Sequence, residues 1–284
     1  MGVRPVRARV GPAGPPGARA PVSGLLGHGD SGPPTGSPVT VVLVHGWSCS
    51  RRQWKHQLPA LSRRYRTLDL DLPGHGESPA DLLAGPPTVG ALADSVVALM
   101  KARVPSGPVV VVGHSLGAAV AVEVARREPG RVVHVISLDG LVHLGVYEKQ
   151  DEAAAAGLLA PLVEDFGRCG DFGAAAVRML DGFVVARDRL PRDELAATCS
   201  ALDARFGLDL YRSILAWDMR EALAHTAVPV TAVCAAATLS PWVRRRYGTR
   251  IGLVPVPDVG HFLHLEAPEV VTPLVRELID TLAR

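Results

Sequence analysis

A chain of 284 residues, 48% hydrophobic and 20% charged, has globular composition and the length of one large domain or two small ones. Thirty Lys and Arg against 28 Asp and Glu leave +2, too balanced for a protein that lives on a nucleic-acid backbone. No apolar run reaches the roughly 18–20 residues that span a bilayer, which excludes a membrane-spanning reading.

Residues 1–38 are rich in Gly, Pro and Arg and lack apolar periodicity beyond Val22–Leu26. The basic start has no 7–15-residue apolar stretch behind it, so it is not read as a secretory signal, and a cytoplasmic protein is expected. Residues 1 to about 16 read as a disordered tail, and 17–38 as an irregular lead-in that could hold a poor edge hairpin. At Val39 the character changes. Val39–Val44 is a continuous apolar, mostly β-branched run, as expected of a parallel strand buried on both faces. Similar runs recur at Tyr65–Leu70, Val109–Val112, Val132–Leu138, Val228–Cys234 and Ile251–Val256. Helical patterns occupy Thr88–Arg103, Leu116–Arg127 and Pro268–Arg284. Strands alternating with helices predict an α/β, doubly wound, mostly parallel sheet.

One interval breaks the rhythm. Between Leu141 and Thr226 there is no strand-like run, and apolar residues fall at helical spacing over Ala153–Val163 and Asp193–Trp217. The expected organisation is a lead-in at 1–38, a sheet core at 39–140 and 227–284, and an inserted helical cap at 141–226. Residues 141–225 carry fourteen acids and nine bases, so the insertion is acidic and the remainder basic. Cys49, Cys169, Cys199 and Cys234 show neither C-x-x-C nor metal-ligand spacing. They read as reduced, inert thiols, with a Cys169–Cys199 bridge as the alternative. Neither a metal nor an organic cofactor is expected.

After Val109–Val112 comes Gly113-His114-Ser115-Leu116-Gly117, followed by a helical pattern. This is G-x-S-x-G between a strand and a helix. A serine on so sharp a turn projects its hydroxyl above the sheet, and residues two before and two after it must be small. As a bare pattern it would arise by chance roughly 0.15 times in this length, so its placement carries the weight. Ser115 is the candidate nucleophile. Of the ten histidines, His261, in Val259-Gly260-His261-Phe262 between the last strand and last helix, is placed to act as its base. His264 leads into a helix entry instead.

Val41–Trp47, Asp71–Ser78, Gly113–Gly117 and Gly260–Glu266, in that order, resemble the α/β-hydrolase superfamily. The resemblance covers about residues 39–140 and 227–284. It implies a Ser–His–acid triad under a helical cap, with an oxyanion hole formed by the backbone amides of Trp47 and Leu116. His45 and the Asp71–Ser78 turn take structural roles. In the commonest pattern the acid follows the strand written here Val228–Cys234, but Thr238 stands there, and no Asp or Glu lies between Glu221 and Asp258. Asp139-Gly140, after Val132–Leu138, offers the acid. Some branches resemble this layout, including esterase-like hydrolases, haloalkane dehalogenases and cofactor-independent dioxygenases. The dehalogenases use Asp as nucleophile, against Ser115. Asp139 as a turn or helix-cap aspartate is the structural alternative, and Asp258 lies too close in sequence to His261.

The expected reaction is hydrolysis of a carboxylic ester, lactone or thioester of a small molecule through acyl-Ser115. Alternatives are an oxygenase-like enzyme using the His–Asp pair as base, or a non-catalytic ligand-binding homologue, which Thr238 favours. Trp47, Leu141, Leu144, Phe166, Phe183 and Trp217 are the candidate lining, apolar near the reacting carbonyl. A homodimer is compatible with the sequence.

Overall fold

The computed structural model describes residues 24–33, 35–141, 143 and 150–282. The tail expected at 1–16 and the candidate lining residue Leu144 lie outside the described residues. Seven strands form one sheet: β1 (His28–Ser31), β2 (Thr40–Val44), β3 (Arg66–Leu70), β4 (Val109–His114), β5 (Val132–Leu138), β6 (Val230–Ala235) and β7 (Gly252–Val256). Their order is β1-β3-β2-β4-β5-β6-β7. All neighbours run parallel except β1, which pairs antiparallel with β3 at the edge.

The apolar runs form strands because both faces of the sheet are covered. Val42, Val44, Val109 and Val111 face a cluster that includes α1 (Val89–Arg103) and α2 (Leu116–Arg127). Val41, Leu43, Val110 and Val112 face Val271, Val275 and Ile279 on the C-terminal helix Pro268–Leu282. Alternation at period two sends successive side chains to opposite layers, so no polar position interrupts the run.

Between β5 and β6 the described residues form α3 (Glu152–Cys169), α4 (Phe172–Asp181), α5 (Arg192–Thr198), α6 (Ala204–Ala216) and α7 (Met219–Ala224). After β6 comes the short α8 (Pro241–Tyr247), and the C-terminal helix is α9. Among the described residues the lead-in carries one edge strand, whose polar sequence His-Gly-Asp-Ser is paired on one side only. Two expectations need correction. The helical pattern over Asp193–Trp217 is two helices, α5 and α6, separated where Cys199 forms an isolated antiparallel bridge with Cys49. Cys199 therefore faces Cys49 rather than Cys169, whose exposed sulfur lies 3.1 Å from an Arg178 guanidinium nitrogen. Among the described residues, no helix is long and apolar enough to cross a membrane.

Candidate active site

The turn at Ser115 is strained, and its surroundings explain why. Ser115 sits between β4 and α2 with φ 53° and ψ −121°, a backbone region that residues with a Cβ rarely occupy. A Cβ on Gly113 would lie 2.1 Å from the Gly117 carbonyl oxygen, and one on Gly117 would lie 2.1 Å from that of Val44. Strand and helix backbones thus pass in contact, and only hydrogen fits between them. Gly140 completes the packing, since a Cβ there would meet the Ser115 carbonyl oxygen at 2.5 Å. Leu116 opens α2, so its amide has no acceptor within the helix. The Gly46–Trp47 loop approaches from β2, where a Cβ on Gly46 would come within 3.1 Å of the Ser115 Cβ.

Asp139 follows β5 directly, fully buried and itself at φ 46°. Its Oδ2 is 2.8 Å from His261 Nδ1. Oδ1 accepts from the Ala235 amide at 2.9 Å, and the Thr238 hydroxyl lies 3.4 Å from it. The Asp139 amide donates to the Val233 carbonyl at 2.8 Å. An acid carried by β5 therefore reaches the edge of β6, where Thr238 stands. Asp258 is exposed on a turn, away from this pairing.

His261 is buried and held at several points. Its amide donates to the Phe183 carbonyl at 3.0 Å, and its own carbonyl lies 3.0 Å from His114 Nε2. Thus the residue before Ser115 and the residue before Gly140 both touch His261. The adjoining loop is fastened by Glu266, which is fully buried. Its Oε2 accepts from the amides of Gly260 (2.9 Å), Val185 (3.1 Å) and Ala186 (2.7 Å). One carboxylate oxygen therefore ties the His261 loop to the segment after α4.

Sequence reasoning missed His143. Its ring lies 4.4 Å from that of His261 and edge-on to Phe183 at 5.3 Å. Burial, reinforced by His261, lowers its pKa to about 3, which leaves it neutral near pH 7. The signal was its spacing: four residues after Asp139 is one helical turn. Among the described residues, Asp139, His143 and His261 also bring ligand-type atoms within 4.8 Å of one another. Two of the three residues already share the short Asp139–His261 contact.

Burial pushes His264 to about 3 and His114 well below the ordinary imidazole range, so both are packing groups in their neutral form. His45 holds loops: its Nε2 accepts from the Leu72 amide at 2.9 Å, and burial lowers it to about 4. Asp71 accepts from the amides of Arg51 and Glu77, in keeping with a structural turn at Asp71–Ser78.

The candidate lining residues divide. Leu141 is buried two positions after Asp139, and the Phe183 ring lies 5.8 Å from His261. Trp47 is buried, its indole Nε1 donating to the Gly207 carbonyl of α6 at 2.9 Å and its ring edge-on to Phe172 and Tyr211. Phe166 packs on Phe172, one ring further out. Trp217 is not brought to the site. Its Nε1 donates to Glu123 Oε1 at 3.0 Å, eight residues along α2 from Ser115 and about 12 Å away at 1.5 Å per residue. Burial opposes ionisation of Glu123, but hydrogen bonds from Trp217 and Arg127 outweigh it and keep the carboxyl below its usual range. Trp217→Phe should therefore cost about 1–2 kcal/mol and lower the melting temperature by roughly 2–3 °C, with kcat unchanged. A calorimetric scan beside an activity assay checks both.

Residues 41–274 match a family described as the alpha/beta hydrolase family. The chain is 31% identical over 266 residues to a dihydrolipoyllysine-residue acetyltransferase component of the acetoin cleaving system of Pseudomonas putida, covering 91% of this chain and 68% of that protein. It is 42% identical over 110 residues to a pimeloyl-[acyl-carrier protein] methyl ester esterase of Methylococcus capsulatus, covering 37% of this chain and 39% of that protein. That alignment spans well under half of the esterase. Among solved structures, a thermophilic esterase from Thermogutta terrifontis superposes with a TM-score of 0.75 at 23% identity, covering 91% of this chain and 94% of that one.

Proposed function

The chain belongs to the alpha/beta hydrolase family, and from that premise we propose that it hydrolyses carboxylic esters, lactones or thioesters of small molecules through an acyl-Ser115 intermediate. The observation that carries this reading is the 2.8 Å contact between Asp139 Oδ2 and His261 Nδ1 beside a serine held at φ 53°. Ser115 Oγ attacks the carbonyl carbon while its proton passes to His261 Nε2. Asp139 accepts from Nδ1–H, fixing the tautomer that leaves Nε2 free to take that proton and steadying the imidazolium that forms. The amides of Trp47 and Leu116 receive the developing oxyanion, each worth about 3–4 kcal/mol in the transition state. His261 returns the proton to the leaving alkoxide or thiolate. Water then repeats the sequence on the acyl-enzyme, with His261 as base, and releases the acid.

In this reading the helices at 141–226 are a cap, and Leu141 and Phe183 offer apolar surface to the acyl group. Thr238 no longer argues for a silent scaffold, because the carboxylate beside it comes from β5. The test is a fluorophosphonate probe followed by intact mass. A single adduct is expected on the wild-type chain and none on Ser115→Ala. No adduct on wild type, or an equal one on the variant, would sink the proposal. A series of activated esters of rising acyl length, with a lactone panel, then ranks substrates.

A further inference from the structure

The bridge that splits α5 from α6 places two thiols face to face. The Ser50 amide donates to the Thr198 carbonyl at 2.9 Å, and the Ser200 amide donates to the Ser48 carbonyl at 2.9 Å. These bonds flank Cys49 and Cys199 and do not join them, so the cysteines form the non-hydrogen-bonded type of antiparallel pair. In such a pair the Cα atoms lie about 4.5 Å apart and the side chains lean together, inside the 4.4–6.8 Å range that a disulfide spans. Three hydroxyls brace the bridge. Ser50 Oγ donates to Thr198 O at 2.9 Å, Ser200 Oγ to Cys49 O at 2.8 Å and Ser48 Oγ to Ser200 O at 3.3 Å. Both sulfurs are free thiols.

Access and reactivity differ between the two. Cys49 is buried, whereas Cys199 is half-buried and lines a surface cleft of about 690 Å³ together with Arg51, Arg52 and Lys55. The interaction of the two sulfur groups draws Cys199 below the ordinary thiol range and, with burial, pushes Cys49 well above it. The outer thiol is therefore the nucleophile and the inner one the resolving group.

We propose that Cys49 and Cys199 are an oxidation site, converted by a hydroperoxide into a cross-strand disulfide that staples the loop after β2 to the segment between α5 and α6. The Cys199 thiolate attacks the peroxide oxygen, giving the sulfenic acid and, from hydrogen peroxide, one water. The Cys49 thiol then attacks the sulfenic sulfur, forming the S–S bond and releasing a second water. Two thiols and one hydrogen peroxide thus become one disulfide and two waters. The inference stands apart from the hydrolytic reading, because its test reads thiols and melting.

With hydrogen peroxide as the probe, the count of free thiols in the denatured chain should fall from four to two. Peptide mapping of the wild-type chain should recover a Cys49–Cys199 link. The link closes a loop of about 150 residues, so the melting temperature should rise by roughly 8 °C and return with dithiothreitol. Cys49→Ser and Cys199→Ser should lose both responses, and Cys169→Ser should keep them. Four surviving thiols, sulfinic acid at Cys199 without a link, or oxidation confined to Cys169 would each overturn the proposal. The wild-type peptide map decides the matter even where a serine variant fails to fold.

Discussion

Asp139→Asn should lower kcat about 10⁴-fold on an activated ester while the circular dichroism spectrum stays that of the wild type. The reason lies in how the carboxylate is held. Oδ1 accepts from the Ala235 amide, so an asparagine at 139 keeps its carbonyl oxygen there and turns its NH2 group toward His261. His261 Nδ1 must then accept, Nε2 carries the proton, and the imidazole cannot take one from Ser115. Near wild-type turnover in a folded Asp139→Asn protein would reject Asp139 as the acid. A second variant locates the acid more finely. Thr238 stands 3.4 Å from Asp139 Oδ1, so adding Thr238→Asp to Asp139→Asn returns a carboxylate to the same corner. At least a tenfold recovery over the single variant is the expected result.

Acid should unfold the protein well before its carboxylates titrate. Burial lowers His45 to about 4 and His75, His143 and His264 to about 3, with His114 well below the ordinary value. Once unfolded, each imidazole takes up a proton near pH 6.5. Between those limits the unfolded chain binds more protons than the folded one, so stability falls as pH drops from about 6.5 toward about 3. At pH 5.5 each group costs roughly 1 kcal/mol, and together they cost several, a large part of the 5–15 kcal/mol that holds a typical domain. The urea midpoint at pH 6.5 should already lie below that at pH 8, because half-protonation of each unfolded imidazole costs about 0.4 kcal/mol, and at pH 5.5 it should have fallen by more than about 1 M in all. An unchanged midpoint at pH 5.5 would show that these imidazoles are already protonated in the folded state.

The sheet was legible because strands buried on both faces write themselves as near-continuous apolar and β-branched runs, and Val39–Val44 and Val109–Val112 did so within a residue or two of β2 and β4. β1 was not, since an edge strand with one partner can be polar throughout. The Asp139–His261 contact was legible through an absence, the acid-free stretch around Thr238, combined with Asp139 at the end of the preceding strand. What sequence spacing concealed were long-range pairings. Nothing local marks Cys199 as opposite Cys49, so α5 and α6 read as one periodic stretch. Trp217 has the same helical register as a pocket residue, yet its indole finds Glu123 on α2. His143 belongs to a different kind of omission: its one-turn offset from Asp139 was there to be used.

Trp47 belongs to two layers at once. Its indole is fastened to Gly207 and wedged between Phe172 and Tyr211, while its backbone lies on the loop against Ser115. If its amide receives the oxyanion, lifting of α4 and α6 away from the sheet pulls on the very residue that stabilises the transition state. Admission of substrate and competence for chemistry then become mutually exclusive states of one lever. On that premise an open molecule would be catalytically idle, its oxyanion hole unassembled.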